Sequence, residues 1–99
     1  MARVELVAEI FEDFDRFFDF FARHEMADVA ARIAEIHEAF EILVHSPLIG
    51  RMVRDGKREL VIGRGSRGYV ALYRYVTDID TVFVLAIRSQ REEGFSREA

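Results

Sequence analysis

The second half of the chain carries three strand-like segments that are joined by very short links. The segments are RELVI (58–62), GYVALYRYV (68–76) and TVFVLAIR (81–88), all rich in β-branched, aromatic or bulky apolar residues. The two links, residues 63–67 and 77–80, are five and four residues long. A parallel crossover needs a dozen or more residues, so the three segments are predicted to pair antiparallel.

The first link contains the spacing G-x-G-x-x-G at Gly63, Gly65 and Gly68, which is also found in dinucleotide-binding proteins. In those proteins the third glycine opens a helix whose free N–H groups bind a pyrophosphate. Here Gly68 is followed by Tyr69 and further residues typical of strands. The glycines are therefore predicted to join two strands, and no cofactor is expected.

Two amphipathic helices are predicted upstream of the strands. Apolar residues recur every three or four positions from Ala8 to about His24, and again from Val29 to about His45. Pro47 ends the second helix, because it lacks a backbone donor and disfavours helical angles at the residue before it. Residues 3–7 (RVELV) alternate polar with apolar and predict a short strand, and residues 51–57 predict a polar connector with a turn at Asp55-Gly56.

The predicted fold is α+β with the order β-α-α-β-β-β, in which a helical hairpin packs on one face of a small antiparallel sheet. The helical side of the core is predicted to consist mostly of seven residues: Phe14, Phe17, Phe18, Phe21, Val29, Ile33 and Phe40. The charged residues between the phenylalanines of the first helix are predicted to form a solvated face: Glu9, Glu12, Asp13, Asp15, Arg16 and Asp19.

Length and composition limit the possible classes of protein. Ninety-nine residues make a single domain (1–99), with a tail from about residue 89 that is expected to be partly flexible. The chain has no cysteine, signal-peptide pattern or membrane-length apolar run, so a cytoplasmic protein without membrane contact is expected. Residues 1–46 carry four arginines against eleven acids (−7), and residues 47–99 carry ten basic residues against seven acids (+3). Two surfaces of opposite charge could therefore meet different partners.

The side chains that could perform chemistry are few. His24, His37 and His45 lack metal-ligand spacing, and no serine has the context of a catalytic triad, so no metal is expected. Basic residues cluster near the predicted strands, together with Tyr69, Tyr73 and Tyr75: Arg54, Lys57, Arg58, Arg64, Arg67, Arg74, Arg88 and Arg91. They could bind phosphate or carboxylate groups, or they could form weak surface ion pairs with Glu59, Asp78 and Glu92.

Several motifs, from Val4 to Phe95, resemble those of the RelE/ParE toxins of bacterial type II toxin–antitoxin pairs, especially the ParE-like plasmid-stabilisation branch. The most specific are the P-x-I-G-R in HSPLIGR, the R-E-L in GKRELVIGRG, the G-Y in RGYVALYRY and the I-R-x-Q-R-E in VFVLAIRSQREEGF. The resemblance implies the fold predicted above. It also implies a hetero-oligomer with a ParD-like or similar antitoxin, whose disordered segment folds onto an apolar groove of the toxin. The expected antitoxin contacts are Phe17, Phe20, Val70 and Leu72.

The resemblance leaves two kinds of target, the ribosome and DNA gyrase. RelE-like members cut mRNA without a metal, using several cations and a proton-transferring side chain around the scissile phosphate. This chain has Val70 where close relatives of RelE place an arginine, and Phe95 in place of a tail tyrosine. On the second strand, where they favour lysines, it has Glu59, Val61 and Gly63. Only Arg91 matches well.

The sequence therefore favours a ParE-like inhibitor of DNA gyrase, with no catalytic residue. The expected target contacts are Arg58, Arg64, Arg67, Arg88 and Arg91. A ribosome-dependent mRNA endoribonuclease that uses Arg91 remains an alternative, as does a detoxified relative that acts only as a binding partner.

Overall fold

A computed structural model describes residues 1–23, 29–63, 68–92 and 94–95, and the backbone but not the side chain of Phe21. His24, Gly65, Arg64 and Arg67, singled out above, lie outside the described residues. The strands and helices follow in this order: β1 (Arg3–Leu6), α1 (Ile10–Arg23), α2 (Val29–His45), β2 (Arg51–Met52), β3 (Lys57–Ile62), β4 (Tyr69–Val76) and β5 (Thr81–Ser89). Short 3₁₀ turns at Arg54–Gly56 and Thr77–Ile79 precede β3 and β5.

The strands form one five-stranded sheet in the order β1-β5-β4-β3-β2, which confirms the α+β prediction. Strands β2 to β5 pair antiparallel, as expected from their short links. Two details differ from the expectation. β1 pairs with β5 in parallel; no short link joins these two strands, so nothing requires them to be antiparallel. Arg51 and Met52 pair with β3 as a short edge strand, although this stretch was expected to be only a connector.

Strand β4 follows Gly68 directly and pairs with β3 and β5 on its two sides. No helix opens at Gly68, so the dinucleotide interpretation of the glycine spacing fails and the antiparallel hairpin interpretation holds. The other predicted turn is also present, since Asp55 and Gly56 have positive φ angles of 61° and 72°.

The core lies between the helices and one face of the sheet. Ile10 and Phe17 of α1 and Leu43 of α2 are buried in it, and the rings of Phe17 and Tyr69 lie 5.0 Å apart. Phe14, Val29 and Phe40 are partly buried against this core, as predicted.

The prediction was wrong for Phe18 and Ile33, which are 47% and 44% exposed. Each helix buries the stripe that faces the sheet, through Ile10 and Phe17 in α1 and Ile36 and Leu43 in α2. Phe18 and Ile33 stand beside these stripes and line a groove between the helices that the sheet does not fill.

The loop between α2 and β2 is fixed by a close approach of backbone to the core. The Gly50 N–H donates a 2.8 Å hydrogen bond to the hydroxyl of Tyr73, a fully buried residue in β4. Burial raises the pKa of that hydroxyl, although the Gly50 bond and the charge of Arg58 oppose the shift. A Cβ atom on Gly50 would lie 2.6 Å from the Tyr73 Oη and 2.8 Å from the Glu59 carbonyl oxygen. Only glycine fits at this position.

We expect Gly50→Ala to lower the free energy of unfolding by about 1–3 kcal/mol, because the added methyl group overpacks the site. Gly94→Ala is the matched control, since nothing lies within 4 Å of a Cβ placed there. Urea unfolding of both variants measures the effect. Equal stability of the two would show that the loop relaxes without cost.

Candidate functional site

The sheet has a second face, turned away from the helices, which we call the open face. Residues directly opposite one another on neighbouring strands share a face. Since Leu60, Tyr69, Ala71, Tyr73 and Ile87 belong to the core, the residues between them point the other way. The open face therefore includes Arg51, Lys57, Glu59, Val61, Val70, Leu72, Arg74, Phe83, Ala86 and Arg88.

The centre of the open face is apolar. Val70 and Leu72 of β4 and Ala86 of β5 are adjacent in the register and all buried, although they lie outside the core under the helices. Glu59, beside Leu72, forms a 2.7 Å ion pair with Arg51 of the neighbouring edge strand. The centre of the open face is therefore aliphatic, and Arg88 of β5 lies directly opposite Val70 at one end of it.

The end of β5 and the described residues after it, 88–92 and 94–95, are called here the C-terminal segment, whose last residues fold back onto β5. The Arg88 guanidinium donates hydrogen bonds to the carbonyl oxygens of Ser89 and Glu92, at 3.2 and 3.1 Å, and lies 5.3 Å from the centre of the Phe95 ring. The Gln90 N–H bonds the Gly68 carbonyl oxygen, which ties this segment to the start of β4. The side chain of Arg91 is exposed beside it.

Helix α1 holds β5 and the C-terminal segment through Asp13 and Arg16. The Ile87 N–H donates to Asp13 Oδ2 at 2.9 Å, and Arg16 Nη2 donates to the Ile87 carbonyl oxygen at 3.2 Å. The same guanidinium makes two 3.0 Å bonds to the carboxylate of Glu92 and one to Asp13 Oδ1. We call these three side chains, Asp13, Arg16 and Glu92, the clamp.

The clamp corrects the prediction that Asp13 belongs to a solvated acidic face. Asp13 is 1% exposed. Pairing of β1 with β5 ends at Leu6 and Val84, so the backbone of Ile87 has no strand on that side and takes side-chain partners from α1. The sequence held a signal for this position, since Asp13 comes three residues after Ile10 and four before Phe17, on the buried stripe.

The clamp also changes the pKa of Arg16. Burial disfavours the charge on Arg16, but its hydrogen bonds with Glu92 and Asp13 outweigh this effect and raise the pKa of the guanidinium above its ordinary value. Arg16 therefore stays charged within the clamp.

Arg58 occupies a different position from Arg88 and Arg91. It lies opposite Tyr73 in the register, and its Nη1 donates to the carbonyl oxygens of Leu48 and Gly50 at 3.2 and 2.9 Å. The structure thus places Arg58 as a brace of the loop that precedes β2. Of the five predicted target contacts, Arg88 and Arg91 come together in the C-terminal segment, Arg58 lies apart from them, and Arg64 and Arg67 fall outside the described residues.

The three tyrosines differ in their availability. Tyr69 and Tyr73 are buried in the core and cannot stack on a partner. Tyr75 is half-buried, and the 2.6 Å hydrogen bond that its hydroxyl donates to Asp80 raises the pKa of the phenol.

As an alternative, the basic residues near the strands were expected to form surface ion pairs with Glu59, Asp78 and Glu92. Two of these three acids pair with other arginines instead. Glu59 pairs with Arg51, and Glu92 with Arg16, neither of which belonged to that cluster.

The structure describes two of the three histidines, and both lie on α2. His37 and His45 are exposed, and His37 Nε2 lies 3.9 Å from a Glu41 carboxylate oxygen on the same helix. Among the residues that the structure describes, no three His, Cys, Asp or Glu side chains are grouped so that they could hold a metal ion.

An apolar groove of about 240 Å³ runs between the two helices. We call it the helix groove; its lining residues are Leu6, Phe14, Phe17, Phe18, Ile33, Ile36, His37 and Phe40. Of the predicted antitoxin contacts, Phe17 lies at its floor and is 6% exposed, whereas Phe20 is 39% exposed and is not among the lining residues. Val70 and Leu72 belong to the open face, so the four predicted contacts do not form one surface.

A comparison with known protein families identifies the chain. The family model described as the ParE toxin of the type II toxin-antitoxin system parDE matches residues 4–94, nearly the whole chain. This chain belongs to the ParE toxin family. It is the toxin of a type II toxin–antitoxin pair, and its family implies an antitoxin as partner. No curated protein matches the sequence.

Two of the motifs that resemble ParE toxins have structural roles here. The glycine of the P-x-I-G-R motif, Gly50, admits the Tyr73 hydroxyl, and the arginine of the R-E-L motif, Arg58, binds the carbonyl of that glycine. Within the described parts of this ParE toxin, no helix is long and apolar enough to cross a membrane.

We expect Asp13→Ala to lower the free energy of unfolding of this ParE toxin by about 1–3 kcal/mol, because it leaves the buried Ile87 N–H without its acceptor, while Arg16 keeps its bonds to Glu92. Asp15→Ala, an exposed neighbour on the same helix, should change it by less than about 0.5 kcal/mol. Chemical denaturation of both variants gives the two values. A loss at Asp13 no larger than that at Asp15 would mean that the clamp contributes nothing to stability.

Proposed function

We propose that this ParE toxin inhibits DNA gyrase by binding, without a catalytic group of its own, and that its cognate antitoxin neutralises it in the cytoplasm. The observation that carries this proposal is the C-terminal segment. It projects Arg91 from a position that the clamp and Arg88 hold against the sheet. An exposed cation on a backbone held in this way suits an inhibitor that must contact an enzyme on its DNA substrate.

The composition of the open face supports a binding role over RNA cleavage. Metal-independent cleavage needs several cations around the phosphate and a side chain that transfers a proton. The central positions of the open face hold Val70, Leu72 and Ala86, none of which carries a charge or can transfer a proton. Tyr69 and Tyr73 are committed to the core.

The test combines the purified chain with gyrase, ATP and supercoiled plasmid. We expect cleaved plasmid to accumulate with increasing toxin, because the inhibitor traps gyrase on broken DNA. The Arg88→Ala/Arg91→Ala variant should need about 10-fold or more additional protein for the same cleavage, which corresponds to about 1.4 kcal/mol of lost binding. Arg91→Ala alone should show part of this loss and no change in stability, since its side chain is exposed.

The matched control is Arg3→Ala/Arg51→Ala, which removes the same charge from two exposed arginines elsewhere on the sheet. Arg3 pairs with Glu5, and Arg51 with Glu59. Exposed pairs of this kind contribute little to stability, so the control should retain full potency. If the control loses as much potency as the Arg88/Arg91 variant, the effect reflects net charge and the site assignment is wrong.

Two results would replace the gyrase proposal. Cleavage of mRNA in translating ribosomes, lost with Arg91→Ala and unaccompanied by any gyrase effect, would establish the endoribonuclease alternative. Absence of both activities, together with unimpaired growth of cells that express the chain, would establish a relative that serves only as a binding partner.

A further inference from the structure

The helix groove is an unfilled apolar surface. Phe14, Phe17, Ile36 and Phe40 form its deeper parts and pack against the core, whereas Phe18 and Ile33 are close to half exposed. Two helices flank the groove, and its lining residues recur at helical spacing on both. This shape suits a third helix that inserts apolar side chains at positions i, i+3 or i+4, and i+7.

The edges of the helix groove are acidic. Asp15 follows Phe14 and Asp19 follows Phe18 on α1, so each is turned about 100° further around the helix, towards solvent. Across the groove, Glu41 follows Phe40 and lies near His37. All three carboxylates are on exposed residues. They belong to the half of the chain that carries a net charge of −7.

We propose that the acidic edges of the helix groove select, as the antitoxin segment that enters it, an amphipathic helix whose apolar residues are flanked by lysines or arginines. The apolar lining provides the surface to bury, and the acidic edges select the charge of the flanks. This inference rests on the proposed toxin function only for the identity of the partner. The antitoxin segment is therefore expected to be basic. A toxin with basic groove edges would instead require an acidic segment.

A second copy of the chain is a poorer occupant of the same groove. In a symmetric pair, groove against groove, Asp15 and Asp19 of one copy would face the acidic edge of the other. Like charges brought together in this way disfavour the wrong partner. The charge pattern thus separates an antitoxin helix from self-association.

The experiment selects binders for the purified chain from a displayed library of helical peptides. The apolar positions of the library follow the i, i+3/i+4, i+7 pattern, and the flanking positions are randomised among Lys, Glu, Gln and Ala. We expect Lys to be enriched over Glu at the flanks, and the affinity of the best peptide to fall as salt is raised, because exposed charges are screened. Reversing its lysines to glutamates should weaken the peptide at least about 10-fold at low salt.

Variants of the chain locate the effect. Asp15→Asn/Asp19→Asn should reduce the discrimination between Lys and Glu flanks to about 2-fold or less, while peptides still bind through their apolar face. Asp55→Asn/Asp78→Asn is the matched control, because it removes the same two charges from exposed turns at the other connections of the sheet. It should leave the discrimination unchanged. Phe18→Ser should weaken every selected peptide, whatever its flanks.

Three outcomes would overturn the proposal: enrichment of Glu at the flanks, binding that is insensitive to Phe18→Ser, or failure to select any peptide while the chain forms a dimer that Phe18→Ser dissolves. The last would identify a second copy as the occupant. None of these measurements uses gyrase or ribosomes, so a failure of the proposed toxin function leaves the peptide result intact, and the reverse also holds.

Discussion

The structure depends on how one uncovered stretch of strand finds hydrogen-bond partners. β5 extends beyond the end of β1, which leaves the backbone of Ile87 without a neighbouring strand on one side. A buried peptide group without partners would cost free energy comparable to a lost hydrogen bond. Asp13 and Arg16 take the place of the missing strand, and because Arg16 also binds Glu92, the same contact orients the C-terminal segment. Helix packing, the sheet edge and the proposed target surface thus share one set of side chains.

At the other edge of the sheet, a comparable solution joins a loop to the core. The Tyr73 hydroxyl accepts the Gly50 N–H, and Arg58 binds the carbonyl of the same glycine from β3. Both edges are therefore fastened by polar side chains that satisfy backbone groups. The surfaces left for partners lie between these two anchors: the open face with its C-terminal segment on one side of the sheet, and the helix groove on the other.

The sequence predicted the large elements well, because they depend on local periodicity and on link length. Both helices and the three C-terminal strands lie within a few residues of their predicted positions, and the glycine spacing joins strands as expected. Periodicity alone could not distinguish the residues that face the sheet from those beside them on the same apolar stripe. That distinction depends on how each helix is rotated about its axis relative to the sheet. Phe18 and Ile33 were consequently placed in the core, and Asp13 on the surface.

The site was harder to predict, for a reason visible in β5. Its pairing with β4 shifts between Leu72 and Tyr73, so that Ala86 and Val84 face these neighbours and Leu85 is an extra residue. The bulge places Val84 and Ile87 in the same core although they are an odd number of residues apart. Simple alternation along the strand therefore assigns the wrong face to half of it. The position of Arg88 on the open face follows from this bulge, which depends on tertiary pairing that no sequence motif reveals.

The aromatic residues of α1 carry a consequence for the fate of the chain in a cell. Phe11, Phe18 and Phe20 are each more than a third exposed on a helix of fourteen residues. Exposed aromatic surface of this density promotes association with any apolar neighbour. Toxin that is free of its partner would bind chaperones, be degraded by proteases or aggregate. The time for which free toxin can act would then be limited by aggregation and degradation as well as by rebinding of the antitoxin.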